Sequence, residues 1–368
     1  MSESSKSNPN FFPALTGVRA IAAMLVFFHH LHLSFFSPFA KNIQKELHIG
    51  VTMFFVLSGL LITYRYYDKI EFSKEWFKKY FVNRFARIYP VYFLLVTMAI
   101  IAQHNFNIVF LIKNYSLTHA LFNEDNRAIS PSWSLTVEEC FYLSAPFILY
   151  ITKKFNIFLS LTISIILLGI AILISHGDTT FLHTPHFVFS YTFFGRFFEF
   201  YVGAFLALQL LSRKGKEVLA KGVSKTIVGF LGISLIVTIM AFINLSHAEL
   251  DNATDSIIGI VLNNIFLPIP IALFYWGLVS EHSLVSKMLS GKLFDLLGKS
   301  SYVLYLLHKP CITLIGRTNV GHDLKFRYGN LYVMGMFLFV VLLSILIYKL
   351  YEEPLNLAIR KKFKSNKH

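Results

Sequence analysis

Charge and cysteine are both scarce in this chain. Only 15% of its 368 residues are Asp, Glu, Lys or Arg, where a soluble domain carries about 25%. Together with a hydrophobic content of 55%, that shortfall excludes an ordinary water-soluble globule. The two cysteines, Cys140 and Cys311, stand in apolar surroundings and supply neither a disulfide framework nor a CxxC metal signature. Acidic residues are the scarcer charge: 20 Asp and Glu against 34 Lys and Arg, a formal net charge of +14. In a soluble protein that surplus would suggest nucleic acid. In an apolar chain it is what cytoplasmic loops beside anionic headgroups carry, so membrane lipids are the expected partner and no nucleic acid is. A GxSxG elbow, an HExxH pair and a Walker loop are all missing, and no spacing of ligand residues asks for a metal. No internal repeat is visible. The opening "MSESSKSNPN" lacks the apolar core and small-residue cleavage site of a signal peptide.

What is present is a series of apolar runs of about 20 residues, the length that crosses a bilayer. Spans are expected near 14–34, 49–66, 86–104, 138–152, 156–175, 188–211, 226–246, 257–279, 296–316 and 329–350. The fold class is therefore all-α: a polytopic helical membrane protein of about ten transmembrane helices. One membrane domain, 14–352, is expected between a tail at 1–13 and a basic tail at 353–368. The segments "RYYDKIEFSKEWFKKYFVNRFAR", "RKGKEVLAKGVSK" and "RKKFKSNKH" are rich in Lys and Arg, whereas "SHGDTTFLHTPH" and "SHAELDNATD" contain none. With ten spans, the basic segments all fall on one side, which places both termini in the cytoplasm. The stretch Lys74–Phe85 reads as an interfacial helix on the inner leaflet.

Ionisable residues inside such spans carry the functional signal, because they usually face the protein interior. Arg19 and His30 are eleven positions apart, about three turns plus 20°, so they share one face of the first helix, offset by about 16 Å. One cavity along that face would touch both. His29 projects about 100° away from His30 and is expected to line a different surface. An ordinary reading also exists: Arg19 snorkelling to lipid phosphate, and His29, His30 and His32 meeting the headgroups. An imidazole titrates in the range that suits a general base, which makes His30 a catalytic candidate.

Arg84 and Arg87 are i,i+3 neighbours where the third span opens. With the positive helix end and Arg19 at the same depth, they form a candidate phosphate site, for the phosphates of coenzyme A or of a lipid. Either arginine alone is equally explained by positive-inside topology. In "SPSWSLTVEECFY", Trp133 fits an interfacial anchor, while Ser134, Glu138 and Glu139 bring polarity to the start of the fourth span. One carboxylate there would polarise a histidine, or both would simply favour a helix N-terminus. Arg196 and Glu199, again i,i+3, read as a structural ion pair, and His308 as a structural histidine.

These segments resemble the acyltransferase-3 family of integral membrane acyltransferases. "FFPALTGVRAIAAMLVFFHH" is similar to the family's first helix, with a basic residue, ten intervening residues and a histidine, here Arg19 and His30. "FFVLSGLLIT", with Ser58, resembles its second helix. "RFARIYP" resembles its Arg-x-x-Arg motif, and "SWSLTVEECFY" its Trp-Ser-Leu-x-x-Glu-Glu segment, in which Cys140 replaces a common glutamine. "GKSSYVLYLLHKP" and "YEEP" match weaker late motifs. The resemblance spans nearly the whole chain in family order. It implies transfer of an acyl group, most often acetyl from acetyl-CoA, to a hydroxyl of a carbohydrate or glycolipid acceptor in the cell envelope, such as a lipopolysaccharide or polysaccharide. It implies a bacterial inner (cytoplasmic) membrane location and no room for the extracytoplasmic esterase-like domain fused in some relatives. It implies His30 as the catalytic histidine. The resulting expectation has His30, Glu138 and Glu139 as catalytic, Arg19, Arg84 and Arg87 as acyl-CoA-binding, and Trp133, Ser134 and Ser58 as substrate-binding. The rival readings are a lipid or sugar transporter using the same intramembrane charges, against which no inverted repeat or pair of broken helices is visible, and a sensor or structural membrane protein with no chemistry.

Overall fold

The computed structural model describes residues 12–31, 33–34, 37–122, 127–177, 180–212, 223–247 and 249–365. His32, the first eleven residues and most of the basic segment Arg213–Lys225 lie outside them. The described chain is helical, and its one strand-like pairing is a single bridge between Phe122 and Phe181. Ten helices correspond to the ten expected spans: α1 Pro13–His30, α2 Ile49–Tyr66, α3 Lys74–Gln103, α4 Trp133–Lys154, α5 Ile157–Ser175, α6 Phe193–Leu211, α7 Lys225–Ser246, α8 Pro268–Ser280, α9 Ser301–Gly316 and α10 Asn330–Ile347.

Eight helical stretches among the described residues are long and apolar enough to cross a membrane. The two that are not are α4 and α9. Helix α4 is long enough but carries Glu138 and Glu139 near one end and Lys153 and Lys154 at the other. Helix α9 has 16 residues, about 24 Å at 1.5 Å per residue, short of the roughly 30 Å hydrocarbon core. Both are drawn into the bundle, where polar groups find partners.

Burial sorts the helices into a centre and a rim. The stretch containing α2 is 67% buried and α5 only 11%. Helix α5 presents Phe158 and Leu173 outward, as a lipid-facing helix should. At the centre α2 and α6 cross at backbone contact. A Cβ on Gly59 would lie 2.0 Å from the Phe200 carbonyl oxygen, and one on Gly203 2.0 Å from that of Val56. Lipid offers no hydrophobic drive between helices, so dispersion over such close approaches has to hold them.

Helix α3 differs from the expected arrangement. It is one continuous helix of 30 residues rather than an interfacial helix followed by a span. The Ser73 hydroxyl caps it, accepting from the Trp76 N–H at 3.3 Å, and no breaker interrupts Lys74–Phe85. Trp76 and Tyr80, one turn apart, stack at 5.2 Å and continue the helix. The interior prolines are accommodated by long-range bonds. Pro90 lacks the N–H that would satisfy the Ala86 carbonyl four residues earlier, and the Asn356 side-chain amide donates to that oxygen at 3.0 Å. Pro146 in α4 likewise frees the Tyr142 carbonyl, which takes the Tyr80 hydroxyl proton at 2.9 Å. With no water in the hydrocarbon to satisfy these carbonyls, the freed oxygens become stitches between helices.

Candidate active site

Three neighbouring cavities succeed one another along α1, from Arg19 to His30. The first, about 370 Å³, is lined by Arg19, Arg65, Arg84, Arg87, Lys299 and Arg360, with Glu352 and Glu353. The second is a constriction of about 40 Å³ bounded by Arg19, Arg87, Ser58, Ser134, Glu138, Tyr142 and Tyr305. The third, about 270 Å³, contains His29, His30, His48, Arg127, Trp133 and Arg196. The first two share Arg19 and Arg87, and the last two share Val51 and Tyr305. They are called here the arginine cavity, the constriction and the histidine cavity.

The arginine trio expected from sequence is brought together, but not at a helix N-terminus. Because α3 begins at Lys74, Arg84 and Arg87 sit well inside it and every nearby N–H is engaged in the helix. The site is therefore built from guanidinium groups and not from a helix end. Arg84 is buried, its guanidinium 5.3 Å from the Tyr142 ring centre. Its Nε has no hydrogen-bond partner among the described residues, and the same holds for Arg360 Nε and Glu352 Oε2. Unsatisfied polar groups cost free energy in such a place: the two guanidinium N–H groups suit an acceptor, and the Glu352 oxygen suits a donor. Glu352 belongs to a π-helical turn, Tyr348–Glu352, that continues α10. Such turns re-aim side chains and cluster at functional sites.

The constriction is closed by hydrogen bonds. The Ser58 and Tyr142 hydroxyls both donate to Oε1 of Glu138. Ser134 Oγ and the Tyr305 hydroxyl lie 2.6 Å apart, and Tyr305 also donates to the Pro131 carbonyl at 3.0 Å. Ser58, Ser134 and Glu138 thus meet at the waist of the passage. Glu139 does not join them: it lines none of the three cavities and accepts from the Tyr89 hydroxyl at 3.2 Å. Trp133 stands in the histidine cavity, edge-on to Tyr191 at 5.2 Å.

His30 ends α1, where Leu31 turns to an extended conformation at φ −125°. His29 and His30 both line the histidine cavity at this helix end, contrary to the expectation from their 100° separation. Arg19 and His30 share a face as expected, yet they border successive cavities rather than one.

The group against His30 is not a carboxylate but the imidazole of His308, which is fully buried. Nδ1 of His308 lies 2.6 Å from the Tyr305 carbonyl oxygen. A carbonyl only accepts, so that nitrogen holds the proton and Nε2 the lone pair. Nε2 lies 3.2 Å from Nδ1 of His30, which also stands 3.0 Å from the Val26 carbonyl. For neutral rings, the arrangement satisfying all three contacts puts the His30 proton on Nδ1 and leaves Nε2 of His30 as the basic atom.

Sequence reasoning gave His308 a structural role, and passed over Glu46 and His48. It noted Arg65, Glu352 and Arg360 only as parts of motifs or basic segments. No local signal identifies them, since each is brought in by long-range packing. Arg196 and Glu199 form the expected buried pair, at 2.9 and 2.7 Å. Arg196 also reaches the Thr52 hydroxyl at 3.1 Å.

The comparisons place this helical membrane protein, in which a cationic cavity and the His30–His308 contact lie along one helix, among the acyltransferases. The chain belongs to the acyltransferase-3 family: the family's acyltransferase domain matches residues 12–349. It is 29% identical to the O-acetyltransferase OatA of Staphylococcus aureus (strain NCTC 8325 / PS 47), over 96% of this chain and 58% of that protein. It is 27% identical to the peptidoglycan O-acetyltransferase OatA of Listeria monocytogenes serovar 1/2a, over 85% of this chain and 51% of that protein. The chain thus spans little more than half the length of these relatives. No solved structure matches it.

Proposed function

We propose that the chain moves an acetyl group from cytoplasmic acetyl-CoA to a hydroxyl of a cell-envelope glycan or its lipid-linked precursor, in a bacterial cytoplasmic membrane with both termini inside. The observation that carries this reading is the series of cavities. The arginine cavity supplies six cations, with orphaned guanidinium N–H groups, for the phosphates of coenzyme A. It lies at the end of α1 that the basic segments assign to the cytoplasm. Arg19, Arg84 and Arg87 bind the donor there, joined by Arg65, Lys299 and Arg360.

The constriction suits an acetyl group in transit. Its 40 Å³ holds on the order of a few water molecules, room for a group of acetyl size. Glu138, held by Ser58 and Tyr142, and Ser134, held by Tyr305, shape the waist. His30 stands beyond it with Nε2 as its basic atom. It acts on the acyl carbon or on the acceptor proton, and His308 receives the Nδ1–H bond that strengthens as His30 gains charge. Trp133 offers the acceptor a ring face in the histidine cavity.

The test is thiol release from acetyl-CoA, and acetyl transfer, by protein purified in detergent. His30→Ala should lose roughly 10²–10⁴-fold in kcat while retaining its fold. Wild-type-like transfer by that variant would refute the reading.

A further inference from the structure

Glu46 and His48 belong to no motif, yet they form a second polarised imidazole on the histidine cavity. They occupy a short 3₁₀ turn, Glu46–His48, that leads directly into α2. Glu46 is fully buried. Its Oε1 accepts from the Asn244 amide and, at 2.9 Å, from the Ala253 N–H, and its Oε2 lies 3.2 Å from Nε2 of His48. A carboxylate removed from water needs such partners. Being able only to accept, it places the His48 proton on Nε2 and the lone pair on Nδ1. The ring of His29 sits between the two polarised imidazoles, 5.5 Å from that of His48 and 4.7 Å from that of His30.

Two imidazoles thus border one cavity with different groups behind them. A neutral ring, His308, backs His30, and a carboxylate backs His48. A carboxylate behind a ring steadies the imidazolium that forms when the ring takes a proton, as in a carboxylate–histidine pair, and a second imidazole brings no such charge. We propose that His48, positioned by Glu46, takes the proton of the acceptor hydroxyl, leaving His30 to the acyl donor. The inference rests on the acetyl-transfer reading above.

In the step, the hydroxyl proton goes to Nδ1 of His48 as the oxygen forms a bond to the acyl carbon. The bond from that carbon to its leaving atom breaks, and the electron pair stays with that atom: the coenzyme A sulfur, or Nε2 of His30 if the imidazole carries the acyl group. The proton on His48 passes to water in the cavity, and the thiolate leaves toward the arginine cavity and takes its proton from water there.

The experiment uses the full chain in lipid nanodiscs, radiolabelled acetyl-CoA, and host envelope glycan stripped of its esters by mild base. His48→Gln should keep the thermal protection given by acetyl-CoA, transfer acetyl at least about 100-fold more slowly, and lose the rising limb of kcat with pH. Glu46→Gln should be slowed about 10- to 100-fold, with the limb moved to lower pH. The other charged or titratable groups that line the cavity with His48 are His29, His30, Arg127, Tyr191, Tyr305, and Arg196 with its partner Glu199, so a His29→Gln control must keep the limb.

Wild-type kcat and limb in His48→Gln would overturn the inference. If that variant fails to fold, Glu46→Gln decides, and an unmoved limb there overturns it equally. The readings separate cleanly: transfer that survives His30→Ala removes His30 from the chemistry, whereas transfer lost in His30→Ala but unchanged in His48→Gln removes only His48.

Discussion

Replacing His308 tests whether its imidazole and that of half-buried His30 work as a unit. His308 is fully buried between the Tyr305 carbonyl and His30. The variant His308→Leu fills most of the space but accepts no hydrogen bond. The Nδ1–H of His30 then keeps only the Val26 carbonyl, at 3.0 Å. The preferred tautomer should survive on that bond, so the loss must be smaller than that of removing His30 itself. What disappears is a hydrogen bond that gains charge as His30 becomes an imidazolium, worth about 1.5–3 kcal/mol. At about 1.36 kcal/mol per decade, kcat should fall about 10- to 150-fold. The KM for acetyl-CoA should hold, since the arginine cavity lies on the other side of the constriction. His308→Gln, whose amide can donate to Tyr305 and accept from His30, should recover part of the rate. The assay is transfer of labelled acetyl in nanodiscs, with the thermal midpoint of each variant measured alongside. An unchanged kcat in His308→Leu would sink the reasoning. So would a loss as deep as that of His30→Ala in a variant of unaltered thermal midpoint.

Two further outcomes follow from the geometry. Arg84→Gln removes a buried guanidinium whose Nε lacks a partner among the described residues; the KM for acetyl-CoA should rise by about 10- to 100-fold, the worth of one charge-assisted hydrogen bond, with kcat little changed, and steady-state kinetics would read it. Gly203→Ala drives a Cβ to 2.0 Å from the Val56 carbonyl, so α2 and α6 must part at a cost of about 1–3 kcal/mol; a lower thermal midpoint in detergent checks it.

Much of the site was legible because single helices carry their own geometry. The eleven-residue spacing put Arg19 and His30 on one face, and the two residues do border successive parts of one passage. The Arg84–Arg87 pair was visible for the same reason. Its setting was read wrongly: hydropathy marks where a span becomes apolar, not where a helix begins, and the Ser73 cap starts α3 well before the apolar run. His29 was misjudged because helical projection angles assume a cavity flanking the helix, while this one is lined by the last two residues of α1, at the helix end.

The one-dimensional pattern determined that this chain lives in a membrane as a polytopic all-α protein, and which family it joins. Apolar length and basic-segment asymmetry are local properties, readable without knowing any contact. Tertiary structure alone decided which groups stand behind each reactive one. His308 meets His30 across 278 positions, and Asn244 meets Glu46 across 198. Residue periodicity says which face a side chain takes but is silent about what another helix brings to that face. In hydrocarbon, where every polar atom must find a partner within the protein, those long-range meetings settle the chemistry.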